Sequence, residues 1–147
     1  MIAYQSAVDF LKIERPGQRF QGVREPAPAE LVDVEKLLPS AVTTLTQRLG
    51  VAEADVVKMA GMATRTWHTR KASNAALSPR EADSILRIAR IAAETVRVFG
   101  NEDKARRWLA APFAGFGGKS PFELLDSDAG VQAVEEELGR IHWGDTF

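Results

Sequence analysis

Cysteine is absent from this sequence of 147 residues, and histidine occurs only twice, at His68 and His142. Without cysteine there is no disulfide framework and no thiolate metal site, and two distant histidines do not form a ligand cluster. No cofactor or metal is therefore predicted. The sequence also lacks a run of eighteen apolar residues, and charges interrupt its amino-terminal apolar stretches, so neither a signal peptide nor a membrane span is predicted. The expected compartment is the cytoplasm.

Strand patterns are missing too, because apolar and polar residues nowhere alternate with a period of two. Apolar residues recur instead at spacings of three and four, and a composition of 45% hydrophobic and 27% charged residues is typical of a globular protein. The sequence therefore predicts an all-α fold. We divide it into a poorly defined arm (residues 1–38), a helix-turn-helix unit (39–76), a long connecting helix (77–99) and a small helical domain (100–147).

Local capping signals place the helices. Serine followed by proline and, three residues after the serine, by glutamate predicts a helix start at both Ser78 and Ser120. Gly50 and Gly100 are positioned to end the helices before them, whereas prolines leave only short helices in the arm. The predicted helices span residues 7–13, 30–38, 40–49, 53–60, 64–71, 79–99, 102–110, 120–125 and 128–141.

Residues 53–71 have the anatomy of a helix-turn-helix, in which two short helices are joined by a turn that contains Gly61. Val57 and Trp67 are spaced to face a shared core. The other side chains of the second helix are expected to point mostly outward, include no acid, and suit base edges and phosphates in a major groove. The predicted DNA-binding residues are Thr64, Arg65, Thr66, His68, Thr69, Arg70 and Lys71.

Alternatives stay open for this second helix. A basic helix face is also compatible with plain solvated surface, and Arg70 and Lys71 suit phosphate contacts as well as base contacts. Because one such module contacts few base pairs, specific recognition requires two copies about 34 Å apart along double-stranded DNA. A homodimer or larger assembly is therefore expected.

Charge is unevenly distributed along the chain, although the net formal charge is only -1. Residues 41–80 carry a net +4 and residues 81–120 a net +2, whereas residues 121–147 carry -6. This distribution indicates two electrostatically different partners, or one part of the chain folded over the other. A chance fluctuation in surface charge explains it as well.

The second half of the chain contains LSPREADSILRIARIAAETVRVFGNEDKARRWLAAP and GGKSPFELLDSDAGVQAVEEELGRIHWG, within residues 77–144. These segments closely resemble the Xre/MbcA/ParS antitoxins of bacterial type II toxin-antitoxin systems, and the helix-turn-helix is similar to theirs to a lesser degree. The resemblance implies a RES-domain toxin that consumes NAD as the partner, and residues 100–147 as the toxin-binding domain. It also implies that the end of this domain reaches into or over the toxin active site, and that the chain represses its own operon.

An acidic segment suits such a toxin, because a site for an anionic dinucleotide needs a positive cleft. Trp143 and Ile141 offer large apolar anchors, and Arg140 is the base expected to find an acidic partner. Packing of Trp143 and Ile141 on the last helices of the chain itself is an open alternative. The predicted toxin-binding residues are Lys119, Gly139, Arg140, Ile141, His142, Trp143 and Gly144.

Two further assignments concern residues next to this segment. Residues 117–121, Gly-Gly-Lys-Ser-Pro, match the signature loop of the family, although a turn followed by a helix cap is their simpler role. Trp108 is assigned to the core, because burial is the commoner fate of an aromatic residue on a helix with a polar opposite face. The resemblance is weaker at Trp67 and His68, where the family more usually has small or aliphatic residues, so the DNA sequence bound is not transferable.

An enzyme is not predicted, because no nucleophile lies beside a base, and GFGGKS lacks the full spacing and the preceding strand of a phosphate loop. An antitoxin that binds both DNA and a toxin is the leading interpretation. The alternatives are a stand-alone transcriptional regulator that uses its acidic end for dimerisation or another protein, and an interaction module without DNA contact. The neighbouring gene and the salt dependence of DNA binding discriminate between these functions.

Overall fold

The computed structural model describes residues 7–11 and 37–144, and within these ranges it contains helices and no strand. The all-α prediction is confirmed. Two 3₁₀ helices, Ala114–Phe116 and Phe122–Asp126, precede the last α-helix. The α-helices are α1 (residues 7–10), α2 (Pro39–Leu49), α3 (Glu53–Met59), α4 (Thr64–Ser73), α5 (Pro79–Phe99), α6 (Glu102–Ala110) and α7 (Asp128–Trp143).

Helix starts and ends follow the capping signals closely. At the start of α5 the Glu81 N–H donates to Ser78 Oγ at 3.3 Å, and the Ser78 N–H donates to the Glu81 carboxylate at 3.0 Å, which completes a capping box. Gly100 ends the helix in the left-handed conformation, with φ of 67°. Ser120 and Glu123 form the same reciprocal pair, but the helix that follows is a 3₁₀ helix.

The two short helices predicted before residue 39 lie only partly within the described ranges. Of the one predicted at residues 7–13, residues 7–10 are helical and residues 12–13 lie outside the described ranges. The one predicted at residues 30–38 lies mostly outside them too. Its last two residues, Leu37 and Leu38, are not helical, because the Leu37 carbonyl accepts a hydrogen bond from the Leu77 N–H at 2.8 Å instead.

One hydrophobic core joins the helix-turn-helix to the later helices, and α5 lies at its centre. Ile85, Ile88, Ala89 and Ala92 of α5 are at most 1% exposed. The stripe fades toward the end of α5, where residues 96 and 99 are half-buried. The residues packed around α5 in the same cluster include Val42, Leu45, Val56, Trp67, Leu125, Val134 and Leu138. This packing fixes the helix-turn-helix and the carboxyl-terminal helices to the same long helix.

An ion pair also joins the two halves of the chain. Arg48 at the end of α2 donates to the Glu102 carboxylate at the start of α6, at 3.2 Å, and its guanidinium lies 4.0 Å from the Phe10 ring centroid. None of the helices within the described ranges is long and apolar enough to cross a membrane.

Trp108 requires a correction. Its side chain is half-buried at the edge of the core, with its ring centroid 5.7 Å from that of Phe99. It packs against the hydrophobic cluster without entering it, because α6 presents Ala105 and Leu109 inward instead.

Gly130 permits the closest backbone approach in this part of the fold. It lies in the first turn of α7, where an added Cβ would meet the carbonyl oxygen of Leu124 at 1.8 Å. A backbone atom cannot move aside as a flexible side chain can. We therefore expect Gly130→Ala to lower the free energy of unfolding by about 1–3 kcal/mol or more, as overpacking does, measured by urea denaturation followed by circular dichroism.

Gly139 provides the matched control in the same helix. Nothing lies within 4 Å of a Cβ added there, and glycine inside a helix costs roughly 0.5–1 kcal/mol relative to alanine. Gly139→Ala should therefore raise the stability slightly. Equal changes in the free energy of unfolding for Gly130→Ala and Gly139→Ala would contradict the packing of α7 against the second 3₁₀ helix.

Candidate functional sites

The helix-turn-helix is formed by α3, a turn and α4. In the turn the Gly61 N–H donates to the Lys58 carbonyl at 3.0 Å, and the Met62 N–H donates to the Val57 carbonyl at 3.1 Å. Gly61 adopts a φ of 70°, a left-handed conformation that glycine adopts without steric cost. The predicted turn residue is therefore confirmed.

Trp67 holds α4 against α3. Its side chain is 2% exposed, and its Nε1 donates to Glu53 Oε1 at 2.8 Å. Val57 of α3 is also buried, so the predicted core pair is confirmed. Trp67 is the one fully buried residue of α4, which leaves the rest of this helix at or near the surface.

Five of the predicted DNA-binding residues are exposed on α4, and Thr66 and Arg70 are half-buried. The first turn of the helix contains no acid, and its N-cap residue, Ala63, offers no side-chain hydrogen bond. The positive end of the helix dipole and its unpaired backbone N–H groups therefore favour an anion there. The exposed residues are Thr64, Arg65, His68, Thr69 and Lys71.

Arg70 does not point outward, and the prediction is wrong on this point. Its Nη1 donates to the Ala76 carbonyl at 2.9 Å and its Nη2 to Glu81 Oε1 at 3.2 Å, and the side chain is only 25% exposed. Lys71 is exposed, but its ammonium is paired with both Glu53 carboxylate oxygens, at 3.0 and 3.3 Å. Arg70 and Lys71 are thus both paired with acids that belong to neighbouring helices and not to α4.

Glu53 is the polar centre of the contact between α3 and α4. The Trp67 hydrogen bond is the main cause that lowers its pKa, followed by the charge and hydrogen bond of Lys71 against an opposing effect of burial. A carboxyl whose pKa is lowered by folding stabilises the protein above its unfolded pKa, and this stabilisation is lost as the pH falls through the folded value. The pKa of Glu102 is also lowered, chiefly by its hydrogen bond from Arg48.

We therefore expect the free energy of unfolding to fall as the pH drops below about 4.5. Glu53→Gln should destabilise the protein at pH 7 and show a smaller difference from wild type at pH 3, measured by urea denaturation at both values. Glu136→Gln, an exposed change outside these contacts, is the control. A Glu53→Gln deficit of the same size at both pH values would contradict the ionic role.

The carboxyl-terminal end of α7 forms the second candidate surface. Val131, Val134 and Leu138 are buried, whereas Ile141 is 37% exposed and Trp143 is 79% exposed. The His142 and Trp143 rings meet edge to face, with their centroids 5.0 Å apart. The other predicted residues at this helix end are also accessible. Gly139 is half-buried, and Arg140, His142 and Gly144 are exposed.

Several acids of the segment with net charge -6 are paired within the chain. Asp128 accepts from Arg87 at 3.0 Å, and Glu135 accepts from Arg90. Arg140 is paired with Glu137, one turn before it in α7. The segment thus presents less free negative charge than its composition implies, and Arg140 already has an acidic neighbour.

Lys119 lies in the turn before the second 3₁₀ helix. Gly117 and Gly118 adopt left-handed conformations, and the Lys119 carbonyl accepts a hydrogen bond from the Phe113 N–H at 3.1 Å, as expected for a structural turn. Its side chain is exposed at a cleft of about 590 Å³ between α3, α6 and the second 3₁₀ helix, which no residue of α7 lines. The structure therefore does not bring Lys119 together with residues 139–144 at this cleft. Within the described ranges, no group of three acidic or histidine side chains could hold a metal ion.

Two family models match adjacent parts of the chain. Residues 28–90 match the antitoxin Xre-like helix-turn-helix domain, and residues 95–144 match the antitoxin Xre/MbcA/ParS C-terminal toxin-binding domain. The chain belongs to the Xre/MbcA/ParS antitoxin family. In this chain both matched regions include part of α5, the helix at the centre of the core.

Curated relatives of the antitoxin carry the name Antitoxin Xre. The protein of Yersinia enterocolitica is 28% identical over 64% of each chain, and that of Photorhabdus laumondii is 30% identical over 63% of each. The relative from Pseudomonas putida is 38% identical over 54% of this chain and 50% of its own. The antitoxin thus matches somewhat less than two thirds of the length of these relatives.

Two acids that organise the helix-turn-helix, Glu53 and Glu81, are not predicted from the sequence to do so. The sequence predicts Glu81 only as a capping-box residue, although a carboxylate has a second oxygen that a nearby arginine can use. Glu53 lies 14 residues before Trp67 and 18 before Lys71, a separation at which no local rule predicts contact. Only the turn geometry brings these residues together.

Proposed function

We propose that this antitoxin neutralises a RES-domain, NAD-consuming toxin by inserting the end of α7 into or over the toxin active site. It represses its own operon by binding operator DNA through α4, as a homodimer in the cytoplasm, and it acts by binding rather than by catalysis. The observation that carries the proposal is the exposure of Ile141 and Trp143 on a helix whose other large apolar side chains, Val131, Val134 and Leu138, are buried.

The exposed end of α7 has the composition of an interface centre. Tryptophan side chains are enriched among the few residues that dominate binding energy, because they bury a large area on contact. A tryptophan that is 79% exposed in the isolated chain gains this energy only with a partner. Ile141 and His142 directly precede Trp143 in α7. Gly139, Arg140 and Gly144 complete the proposed contact segment.

The acidic surroundings support the choice of toxin class. A toxin that binds NAD needs a positive cleft for the pyrophosphate, and a net negative segment is attracted to such a cleft. The pairing of Glu137 with Arg140 does not oppose this role, because the Arg140 side chain is 64% exposed and stays accessible to a partner. Lys119 is proposed as a contact outside the main segment.

The exposed face of α4 supports DNA binding. Arg65 and Thr69 are exposed, and arginine reads guanine through two hydrogen bonds in the major groove. The Thr64 end of the helix favours a phosphate through its backbone N–H groups and dipole. Half-buried Thr66 and paired Lys71 are at the margin of this face.

Co-expression with the neighbouring gene tests the proposal. The neighbouring product alone should halt growth, and the antitoxin should restore it. A variant that lacks residues 139–147 should fail to restore growth while still binding DNA upstream of its own gene. Rescue by this deletion variant would contradict the role of the helix end, and a harmless neighbouring product together with intact DNA binding would favour the stand-alone regulator.

A further inference from the structure

α4 is held in place by few contacts for a helix that would have to meet DNA at a defined angle. Trp67 is the one residue of the helix that is fully buried. A helix anchored through one side chain can roll about that contact unless polar interactions restrain its ends. Two carboxylates provide such restraints: Glu53, which accepts from Trp67 and Lys71, and Glu81, which accepts from Arg70.

The restraint through Glu81 connects α4 to a rigid part of the fold. Oε1 of this carboxylate accepts from Arg70, while Oε2 accepts from the Ser78 N–H in the capping box of α5. The Glu81 side chain is only 14% exposed. Arg70 also donates to the Ala76 carbonyl in the segment between the two helices. The guanidinium thus joins the end of α4, the connecting segment and the start of α5.

We propose that Arg70 is a positioning residue of the DNA-binding surface and does not itself contact DNA. By fastening α4 to the capped start of α5, it sets the angle at which Arg65 and Thr69 are presented to the groove. The guanidinium is committed to this task, because two of its nitrogens donate within the chain and its Nε is shielded from solvent. The inference rests on the proposed DNA binding and assigns a role within the same surface.

Three single variants, and the double variant that combines Arg70→Ala with Glu81→Ala, separate a positioning role from direct contact with DNA. Arg70→Ala removes the bridging guanidinium, and Glu81→Ala removes its acceptor together with the capping box. Ser78→Ala is the matched control, because it removes the Oγ of the capping box but leaves the Arg70 to Glu81 pair in place. The affinity of each variant for a duplex of the DNA upstream of its own gene is measured at several salt concentrations.

A positioning role makes opposite predictions from a phosphate contact. We expect Arg70→Ala, Glu81→Ala and the double variant each to lose about tenfold in affinity, without additivity, because they break the same bridge. Their dependence of affinity on salt should match wild type, and Ser78→Ala should bind like wild type. The inference is overturned if Arg70→Ala lowers the slope of log K against log salt by about 0.9, as loss of one phosphate contact does. Unchanged or tighter binding by Glu81→Ala would overturn it as well.

Hydrogen exchange of the free protein keeps this test independent of DNA binding. Arg70→Ala and Glu81→Ala should speed exchange of the α4 backbone amides, and Ser78→Ala should not. If wild type binds none of the DNA tested but exchange in α4 changes as expected, the proposed function fails while the restraint of α4 stands. Unchanged exchange in α4 overturns the inference itself.

Discussion

Trp143→Ala should weaken binding of the antitoxin to its toxin by at least about 30-fold, which corresponds to about 2 kcal/mol. The side chain is the largest exposed apolar group in the described part of the chain. If it fills a pocket of the toxin, truncation removes most of the apolar area that the helix end buries. Stability should hardly change, because a side chain that is 79% exposed contributes little to the core.

Leu38→Ala provides the control for this prediction. Leu38 is also exposed, at 41%, but it precedes α2, far along the chain from the proposed contact segment. Isothermal titration of purified toxin with each variant gives the affinities, and thermal denaturation checks the fold. Comparable affinities for wild type and Trp143→Ala would exclude Trp143 as the anchor, and an equal loss for Leu38→Ala would point to a different contact surface.

Arg65→Ala should lower the affinity for DNA upstream of its own gene by about 5- to 150-fold, the range that corresponds to 1–3 kcal/mol for one bidentate base contact. Arg65 is exposed in the first turn of α4, and no ion pair or side-chain hydrogen bond within the described ranges engages its guanidinium. It is therefore available to the groove without first breaking an internal contact. Arg70 differs on this point, since its guanidinium donates to Glu81 and Ala76.

Arg107→Ala is the matched control, because Arg107 is an exposed arginine on α6, outside the helix-turn-helix. Both variants lose one positive charge, so a general electrostatic attraction to DNA would weaken binding equally. Fluorescence anisotropy with a labelled duplex, at two salt concentrations, separates the two effects. Equal losses for the two variants would reject specific reading of DNA by Arg65.

Elements specified by neighbouring residues could be predicted from the sequence. The capping box of Ser78 and Glu81 and the left-handed Gly100 placed both ends of α5 at the observed residues, because these signals act within one turn of helix. The spacing of Val57 and Trp67 about Gly61 also predicts their burial, because the short turn sets how the two helices face each other. Helices that begin and end at such local signals account for most of the described fold.

Contacts between distant residues could not be predicted in this way. Arg70 is predicted to point outward because Trp67 is spaced to face the core, but its partner is Glu81 in the next helix. Arg90 and Glu135, 45 residues apart, likewise pair only because α5 packs on α7. Charge counted along a sequence contains no information about such pairing. The counts therefore predict the sign of each segment's net charge but overstate the charge that is left unpaired in the fold.

In the proposed complex with a toxin, this pairing makes apolar contact more important than charge. Asp128 and Glu135 are paired with arginines of α5, so part of the negative charge of this segment is compensated within the fold. The apolar pair Ile141 and Trp143 lies just beyond the buried part of the helix, where a partner can reach it. In the proposed complex, negative charge would assist the approach to a positive cleft, and the apolar anchors would supply the affinity.

Hydrogen exchange of the antitoxin with each partner in turn tests most directly whether two separate surfaces serve two partners. The toxin should slow exchange at residues 139–144 and leave residues 64–69 unchanged, and DNA upstream of its own gene should do the reverse. Protection of residues 64–69 by the toxin, with residues 139–144 exchanging as in the free protein, would contradict this account.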